Sequence, residues 1–166
     1  MRPAVLIFEN LDKGKSMKRY IAVSLLLCGL LNAEALSSKC YRDNDKNVVI
    51  CSEKKLGRLM WQDEKQSFKG AWDEAQEYCK LVNLAGYKDW RLPTRVELLS
   101  IADKSRYNTA INTAFKYIAD SDYLWYWSQT KYAAGSSSAW VVIFSNGSVG
   151  QDGVSNRRFV RCVRQD

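Results

Sequence analysis

The chain has 166 residues, of which 46% are hydrophobic and 26% charged, with a formal net charge of +7 and no histidine. This composition excludes a wholly disordered chain and suffices for the core of one domain once an N-terminal segment is removed. The positive charge suits an anionic partner surface, although it also serves ordinary solubility. A zinc site is disfavoured because the chain has neither a histidine nor a CxxC pair.

Residues 1–35 have the pattern of an N-terminal extension followed by a signal peptide. Two basic side chains precede an apolar run, residues 21–31, which is too short to span a bilayer as a standard helix. A small-x-small pattern then predicts cleavage after Ala35, with Ala33 as the alternative. Met17 is the predicted true start, because the residues before it add nothing that a signal needs. An uncleaved membrane anchor is the alternative interpretation.

Four cysteines follow the predicted leader: Cys40, Cys51, Cys79 and Cys162. An even number of cysteines in an exported chain predicts two disulfides, and three pairings are open at this point. We therefore expect a periplasmic, secreted or cell-surface protein whose mature chain has no transmembrane segment.

Short strands and two helices are predicted in the first two thirds of the chain. Residues 36–47 are polar and are predicted to be a loose lead, with β-rich runs at 48–51 and 57–61. Helical spacing of apolar residues predicts a first helix over 68–84 and a second over 94–104. Asp43, Asn44 and Asp45, just before the first of the β-rich runs, fit a hairpin turn better than a calcium loop, since the glycine and distal glutamate of an EF-hand are missing. The segment that follows the second helix, up to residue 122, is predicted to be largely loop.

The stretch Gly86–Thr94 separates the two predicted helices. Pro93 pushes the residue before it out of the helical region. Thr94 is then the predicted N-cap of the second helix, and Glu97 completes a capping box. The stretch therefore turns the chain between two fixed points.

Three residues of this stretch, and Arg161 in the last predicted strand, are interpreted as structural. Trp90 is predicted to pack under its own loop. Asp89 and Arg91 are predicted to pair with each other or with loop backbone, because arginine forms planar bidentate contacts. Arg161 is likewise predicted to be in a structural ion pair.

The last third of the chain is predicted to be β structure. Asn146-Gly147 predicts a tight hairpin, and residues 132–138 are predicted to be a flexible turn rich in glycine and serine. Predicted strands occupy residues 124–128, 139–144, 148–151 and 159–163. Strands, two helices and a β meander in this order predict the α+β class.

These motifs together resemble the Lcl C-terminal domain family, a bacterial exported branch of the C-type-lectin-like fold. The matching pieces follow in the right order over most of residues 57–164: Gly57–Gln62, Gly86–Thr94, Tyr126-Trp127-Ser128 with Thr130, Ala139-Trp140 with Asn146-Gly147, and Val160–Arg164. The resemblance divides the chain into the leader, an N-terminal hairpin segment (36–56) and a C-type-lectin-like domain (57–166), with two helices packed on short antiparallel sheets.

The same resemblance implies the disulfide pairing. The cysteine of the first helix and that of the last strand are joined in this fold, which gives Cys79–Cys162. Cys40–Cys51 corresponds to the additional hairpin disulfide of its long form. The motifs with which calcium-dependent lectins hold the ion and the sugar are absent from the sequence, so we predict no metal and no cofactor.

A weaker likeness links Arg91–Thr94 and Arg161-Cys162 to sulfatase-modifying-factor domains. Some of those domains are copper-dependent formylglycine-generating oxidases, which need two nearby thiols for Cu(I). Cys162 has no cysteine close to it in the sequence, and the iron oxygenases of that fold use histidines that this chain lacks. We therefore do not predict an enzyme, and a formylglycine-generating oxidase ranks third among the functions considered.

The candidate ligand-binding residues are aromatic and basic. Trp125 and Trp127 share one face of a predicted strand and could form a platform for a sugar ring or a protein, with core packing as the alternative. The basic candidates for a sulfated or phosphate-bearing ligand are Lys88, Lys131, Arg157 and Arg158. Nucleic acid is not a predicted partner, because the chain is exported and its charge is modest.

The sequence therefore predicts an exported, non-enzymatic binding module for surface recognition or adhesion, with a polyanionic glycan as the favoured partner. Its binding residues are expected in the loops after the second helix and around residues 132–138, because loops vary most freely. The alternative is a structural or accessory subunit of an envelope protein assembly that uses the aromatic strand as its interface.

Overall fold

The computed structural model describes residues 39–135 and 137–166. The predicted leader, with its cleavage site and the Met17 start, lies outside these residues. No helix in the described part is long and apolar enough to cross a membrane. The elements of this part are β1 (Lys39–Asp43), β2 (Val48–Glu53), β3 (Gly57–Gln62), β4 (Lys69–Gly70), α1 (Trp72–Leu81), α2 (Arg95–Ser100), β5 (Trp125–Lys131), β6 (Ser138–Ile143), β7 (Ser148–Gly153), β8 (Arg158–Phe159) and β9 (Val163–Gln165).

The first sheet has the strand order β1-β2-β3-β9, with all neighbours antiparallel. Its first hairpin pairs Cys40 with Cys51 and turns at Asn47, whose φ of 54° lies in the left-handed region that asparagine tolerates. The predicted loose lead over residues 36–47 is therefore wrong from Lys39 onward. Regular pairing with β2, fastened by a disulfide, orders these polar residues as a strand.

The second sheet has the order β4-β8-β5-β6-β7. Its neighbours are antiparallel except β5 and β8, which run parallel. The predicted hairpin at Asn146-Gly147 is confirmed: it joins β6 to β7, and Gly147 has a φ of 73°, which glycine adopts without strain.

The predicted final strand, residues 159–163, is two strands in different sheets. Between β8 and β9 the chain crosses from the second sheet to the first. Val160 donates its N–H to the carbonyl of Phe68 at 3.0 Å, and Cys162 accepts the N–H of Gln62 at 3.0 Å. The prediction failed because the change from one sheet to the other depends on distant hydrogen-bonding partners. Residues 159–163 themselves contain no local signal, such as a turn residue, at the point of change.

Both helices are shorter than predicted. The first, predicted over 68–84, begins at Trp72 because the residues just before it pair with β8. The second, predicted over 94–104, ends at Ser100. Residues 105–122 contain no helix or strand apart from one isolated bridge, as predicted for this described segment.

The core consists of two clusters, one on each face of the second sheet. Successive residues of β5 point to opposite faces, so Trp127 packs in the first cluster and Tyr126 in the second. The first cluster contains the buried face of α1, including Trp72. The second contains Leu98 of α2 and Phe115 of the long loop.

The structure confirms both disulfides, Cys40–Cys51 and Cys79–Cys162. Disulfides persist in oxidising compartments, so the pairing indicates a setting outside the cytoplasm. The described residues form mostly β sheet with two short helices and two disulfides. The finer assignment to the C-type-lectin-like fold stays a prediction.

Candidate functional site

The stretch before α2 is held by one arginine–glutamate pair. Arg91 donates Nη1–H and Nη2–H to the two carboxylate oxygens of Glu97 at 2.8 and 2.6 Å. The backbone N–H of Thr94 donates to Glu97 at 2.8 Å, and the N–H of Glu97 donates to Thr94 Oγ1 at 3.2 Å, which confirms the capping box. Two backbone hydrogen bonds of 2.9 Å join Arg91 to Val163, at the start of β9. These contacts make the stretch structural.

Trp90 packs under its own loop, as predicted. It is buried, and its indole N–H donates to the carbonyl of Tyr87 at 3.2 Å. Asp89, by contrast, pairs with Arg164 at 2.8 Å and not with Arg91. The guanidinium of Arg91 already donates two hydrogen bonds to the buried carboxylate of Glu97. The hydrogen bond from Arg164 lowers the pKa of the Asp89 carboxyl.

Arg161 belongs to a buried ionic cluster, which confirms its predicted structural pairing. Its Nη1 donates to Asp63 at 3.0 Å and to the carbonyl of Gln62 at 2.7 Å. Arg42 Nη1 forms an ion pair with the other carboxylate oxygen of Asp63, Oδ2, at 2.9 Å. Asp63 also accepts the backbone N–H of Tyr117 at 3.1 Å. We call Asp63, Arg42 and Arg161 the Asp63 cluster.

The two tryptophans of β5 do not form an exposed platform. Trp127 is 0% exposed, and its indole N–H donates to the carbonyl of Gly70 at 3.0 Å. Trp125 is half-buried, and the guanidinium of Arg158 lies 4.7 Å from its ring centroid. The platform prediction is wrong for the pair, because the face of β5 that carries Trp127 packs in the first core cluster.

Two of the predicted basic ligand residues are neutralised by carboxylates. Arg157 pairs with Glu74 at 2.9 Å, and Arg158 pairs with Asp152. Lys88 is exposed in the turn before Trp90. The structure brings Lys88 into no contact with the other predicted ligand residues within the described part of the chain.

Lys131 differs from these residues, and it has a neighbour that the sequence did not single out. Its ammonium lies 3.8 Å from the ring centroid of Trp72. The guanidinium of Arg95 lies 4.3 Å from the ring centroid of Trp140. The backbone N–H of Arg95 donates to Thr130 Oγ1 at 3.0 Å, which fixes the start of α2 against the end of β5.

The basic-aromatic surface consists of Arg95, Tyr132 and Trp140. Lys131 lies at the same end of β5 but over Trp72, on the opposite face of the second sheet. Tyr132 packs edge-on against Trp140, with ring centroids 5.3 Å apart. Neither cation has a carboxylate within ion-pairing distance among the described residues. Cation–π contacts position such groups while their N–H donors stay available to a ligand.

The sequence held signals for both missed residues. Arg95 follows a predicted N-cap, so it stands at the first helical position. Trp140 alternates with the buried residues Ala139 and Val141 and therefore points to the other face of its strand. Neither signal shows that the two side chains meet, because that contact depends on how α2 packs against the sheet.

The described residues contain no group of three His, Cys, Asp or Glu side chains that could hold a metal ion. Asp43, in the turn considered for calcium, accepts the backbone N–H groups of Asp45 and Lys46 at 3.1 and 3.2 Å, as an ordinary turn does. The sulfurs of Cys79 and Cys162 are bonded to each other, so they do not offer copper a thiolate pair.

Residues 52–164 match the family model of the Lcl C-terminal domain. The match starts within β2 and ends within β9, and it contains both helices and the whole basic-aromatic surface. No curated protein sequence matches the chain.

Proposed function

Because the chain belongs to the Lcl C-terminal domain family, we propose that it is an exported, non-enzymatic binding module that holds an anionic glycan on its basic-aromatic surface. The observation that carries the proposal is the position of Arg95 and Lys131. Arg95 lies over Trp140 and Lys131 lies over Trp72, on the two faces of the second sheet at the same end of β5, and neither has a carboxylate partner in the described residues. The two disulfides support a location outside the cytoplasm, in the periplasm or at the cell surface.

The side chains of this surface suit a sulfated or carboxylated sugar. The planar guanidinium of Arg95 can bind such an anionic group through two parallel hydrogen bonds. The half-buried rings of Tyr132 and Trp140 offer apolar faces and edges to the C–H groups of a sugar. Lys131 adds a second positive charge from the opposite face of the same strand end, and the adjoining turn, which can vary in sequence, would adjust specificity.

Heparin binding at two salt concentrations tests this proposal. Arg95→Ala should weaken binding by roughly tenfold, the effect of losing about 1.4 kcal/mol, and Lys131→Ala should act in the same direction. Lys88→Ala is the matched control, since it removes an exposed lysine that has no aromatic partner in the described residues, and it should change affinity less than about twofold. Raising the salt from about 0.05 M to about 0.3 M should weaken the wild type strongly, because exposed charges are screened.

The proposal fails if the wild type does not bind heparin at low salt and a panel of sulfated and uronate glycans gives no signal. It also fails if Arg95→Ala and Lys88→Ala weaken binding equally, because the affinity would then report only net charge.

The other two functions predicted from the sequence have less support. An accessory subunit was expected to use the aromatic strand as its interface, but Tyr126 and Trp127 are buried in the two core clusters. A copper oxidase needs free thiols. Thiol titration of the exported protein tests that function, and reactive Cys79 and Cys162 would favour it over the binding module.

A further inference from the structure

An open cleft of about 440 Å³ lies between the β1–β2 turn, the segment after β3, helix α1 and the loop before β5. Every side chain that lines it is polar or phenolic, and its single carboxylate is balanced by a single ammonium. The lining residues are Asn47, Glu64, Lys65, Gln66, Tyr78 and Tyr117. The cleft shares none of them with the basic-aromatic surface.

The Asp63 cluster fixes one wall of the cleft. The N–H of Asp63 donates to the carbonyl of Asn47 at 2.9 Å, and its carboxylate accepts the N–H of Tyr117 at 3.1 Å. Arg42 donates to Asn47 Oδ1 at 3.1 Å and lies 5.1 Å from the ring centroid of Tyr117. Since Asn47 Oδ1 is thus occupied, the side-chain NH₂ group of Asn47 remains to donate to a ligand.

Gln62, the residue before Asp63, positions two further lining residues, Tyr78 and Glu64. Its side-chain amide donates to the hydroxyl of Tyr78 at 2.8 Å and to Glu64 Oε2 at 2.8 Å. Phe68 stacks on the Tyr78 ring with centroids 4.3 Å apart, which holds that ring in place. The Tyr78 oxygen already accepts a hydrogen bond, so its proton can be donated to a ligand, and the other Glu64 oxygen can accept one.

The Tyr78 hydroxyl is protonated at neutral pH, and burial raises its pKa further above the ordinary value of 10.0. Two consecutive buried residues, Gln62 and Asp63, therefore position donors and acceptors that line one cleft. This arrangement exists before any ligand arrives, which lowers the entropy lost on binding.

We propose that this cleft is a second binding site and that it takes an uncharged, hydroxyl-rich glycan. Pockets for apolar ligands are lined mainly by hydrophobic side chains, and this one is not. Sugar hydroxyls donate and accept hydrogen bonds at once, so they match a lining of amides, phenols and a carboxylate. Glu64 repels a polyanion, and Lys65 offsets its charge, so an uncharged chain fits better than an acidic one. The open shape accommodates a segment of a longer glycan.

NMR titration of the whole exported chain with chitotetraose and maltotetraose tests the proposal. At least one of these neutral tetrasaccharides should shift the amide resonances of Asn47, Glu64 and Gln66. Glu64→Gln should weaken that binding about tenfold. Tyr117→Phe, which removes only a hydroxyl, should weaken it by a smaller factor. Arg95→Ala is the matched control and should leave it unchanged. Raising the salt concentration should change the affinity less than twofold, because the sugar carries no charge.

The proposal is overturned if neither neutral sugar shifts these resonances at millimolar concentration, or if only heparin or a free amino acid does. Loss of binding in Arg95→Ala also overturns it, because the sugar would then lie on the basic-aromatic surface. Since the two sites use different residues and ligands of different charge, failure here leaves the function proposed above untouched.

Discussion

The buried carboxylate of Asp63 is the centre of a network of ion pairs and hydrogen bonds. Its side chain has no solvent exposure, yet it meets two arginines and accepts the backbone N–H groups of Lys116 and Tyr117 at 3.0 and 3.1 Å. A buried carboxylate is tolerated only when it is paired and its lone pairs are satisfied, as they are here. The cluster therefore ties the end of β3 to the long loop and to the segment after β8.

Asp63→Asn should destabilise the protein by about 3–5 kcal/mol, because two largely buried guanidinium groups would lose their counter-charge. The free energy of unfolding, measured in urea, checks this. Asp89→Asn is the matched control: that carboxylate pairs with Arg164 but is 63% exposed, so its loss should be about 1 kcal/mol or less. Equal losses in the two variants would contradict a special role for burial.

Glu97 gives the protein a defined response to acid. Burial raises its pKa, but the hydrogen bonds from Arg91 and the N–H of Thr94 outweigh burial, and the net pKa lies below its ordinary value of 4.5. The folded-state pKa is thus lower than the unfolded one. The stabilisation is therefore complete above about pH 4.5 and is lost as the pH falls through the folded-state value.

Glu97→Gln should lower the free energy of unfolding by about 1–3 kcal/mol at pH 7, because charged hydrogen bonds at the cap are removed. The loss should shrink as the pH falls below 4.5, the ordinary pKa of this carboxyl. Urea unfolding at several pH values measures both effects. Glu77→Gln, which breaks only the exposed pair with Lys80, should have little effect at pH 7. A loss in Glu97→Gln that stays constant down to pH 3 would exclude the carboxylate as its origin.

Among the elements, the two disulfides differ in the length of chain they close. Cys40 and Cys51 are 11 residues apart within one hairpin, whereas Cys79 and Cys162 are 83 residues apart and join α1 to the crossing segment. In the loop-entropy description, a longer closed loop restricts the unfolded chain more. The second bond should therefore contribute more to stability.

Replacing both Cys79 and Cys162 by alanine should cost about 4–5 kcal/mol, against about 3 kcal/mol for the same double replacement at Cys40 and Cys51. Denaturant unfolding of the two variants compares them directly, and each variant keeps the other bond as an internal reference. A larger loss at the shorter loop would show that loop entropy is not the deciding factor.

The predictable elements are those marked by local chemistry. The Thr94 cap and the Asn146-Gly147 hairpin are both present, because caps and tight turns are short-range signals. β1 and the division between β8 and β9 could not be predicted in this way. Those strands are defined by partners far along the chain, and their own residues carry no sign of which sheet they join.

For the molecule as a whole, the candidate sites were harder to predict than the fold. The sequence singles out Lys131 as basic, but the contacts that keep its charge available come from Trp72, far away in the sequence. In the sequence, Arg157 and Arg158 are basic candidates like Lys131. In the structure, Glu74 pairs with Arg157 and Asp152 pairs with Arg158. Net charge is a property of composition, whereas charge that remains free for a ligand is a property of the folded surface.

The path of residues 158–165 has a consequence for the order in which the protein can assemble. These residues supply one strand to each sheet, so neither sheet is complete until the chain's last segment arrives. The pairing of Leu59 with Gln165 joins positions far apart in the sequence, and such distant closure slows folding. Both cysteines of the Cys40–Cys51 hairpin precede residues 158–165 in the chain, so this bond can form before that segment takes its place. Cys79 must wait as a free thiol for Cys162, and during that interval it depends on the redox partners of its compartment to avoid a wrong bond.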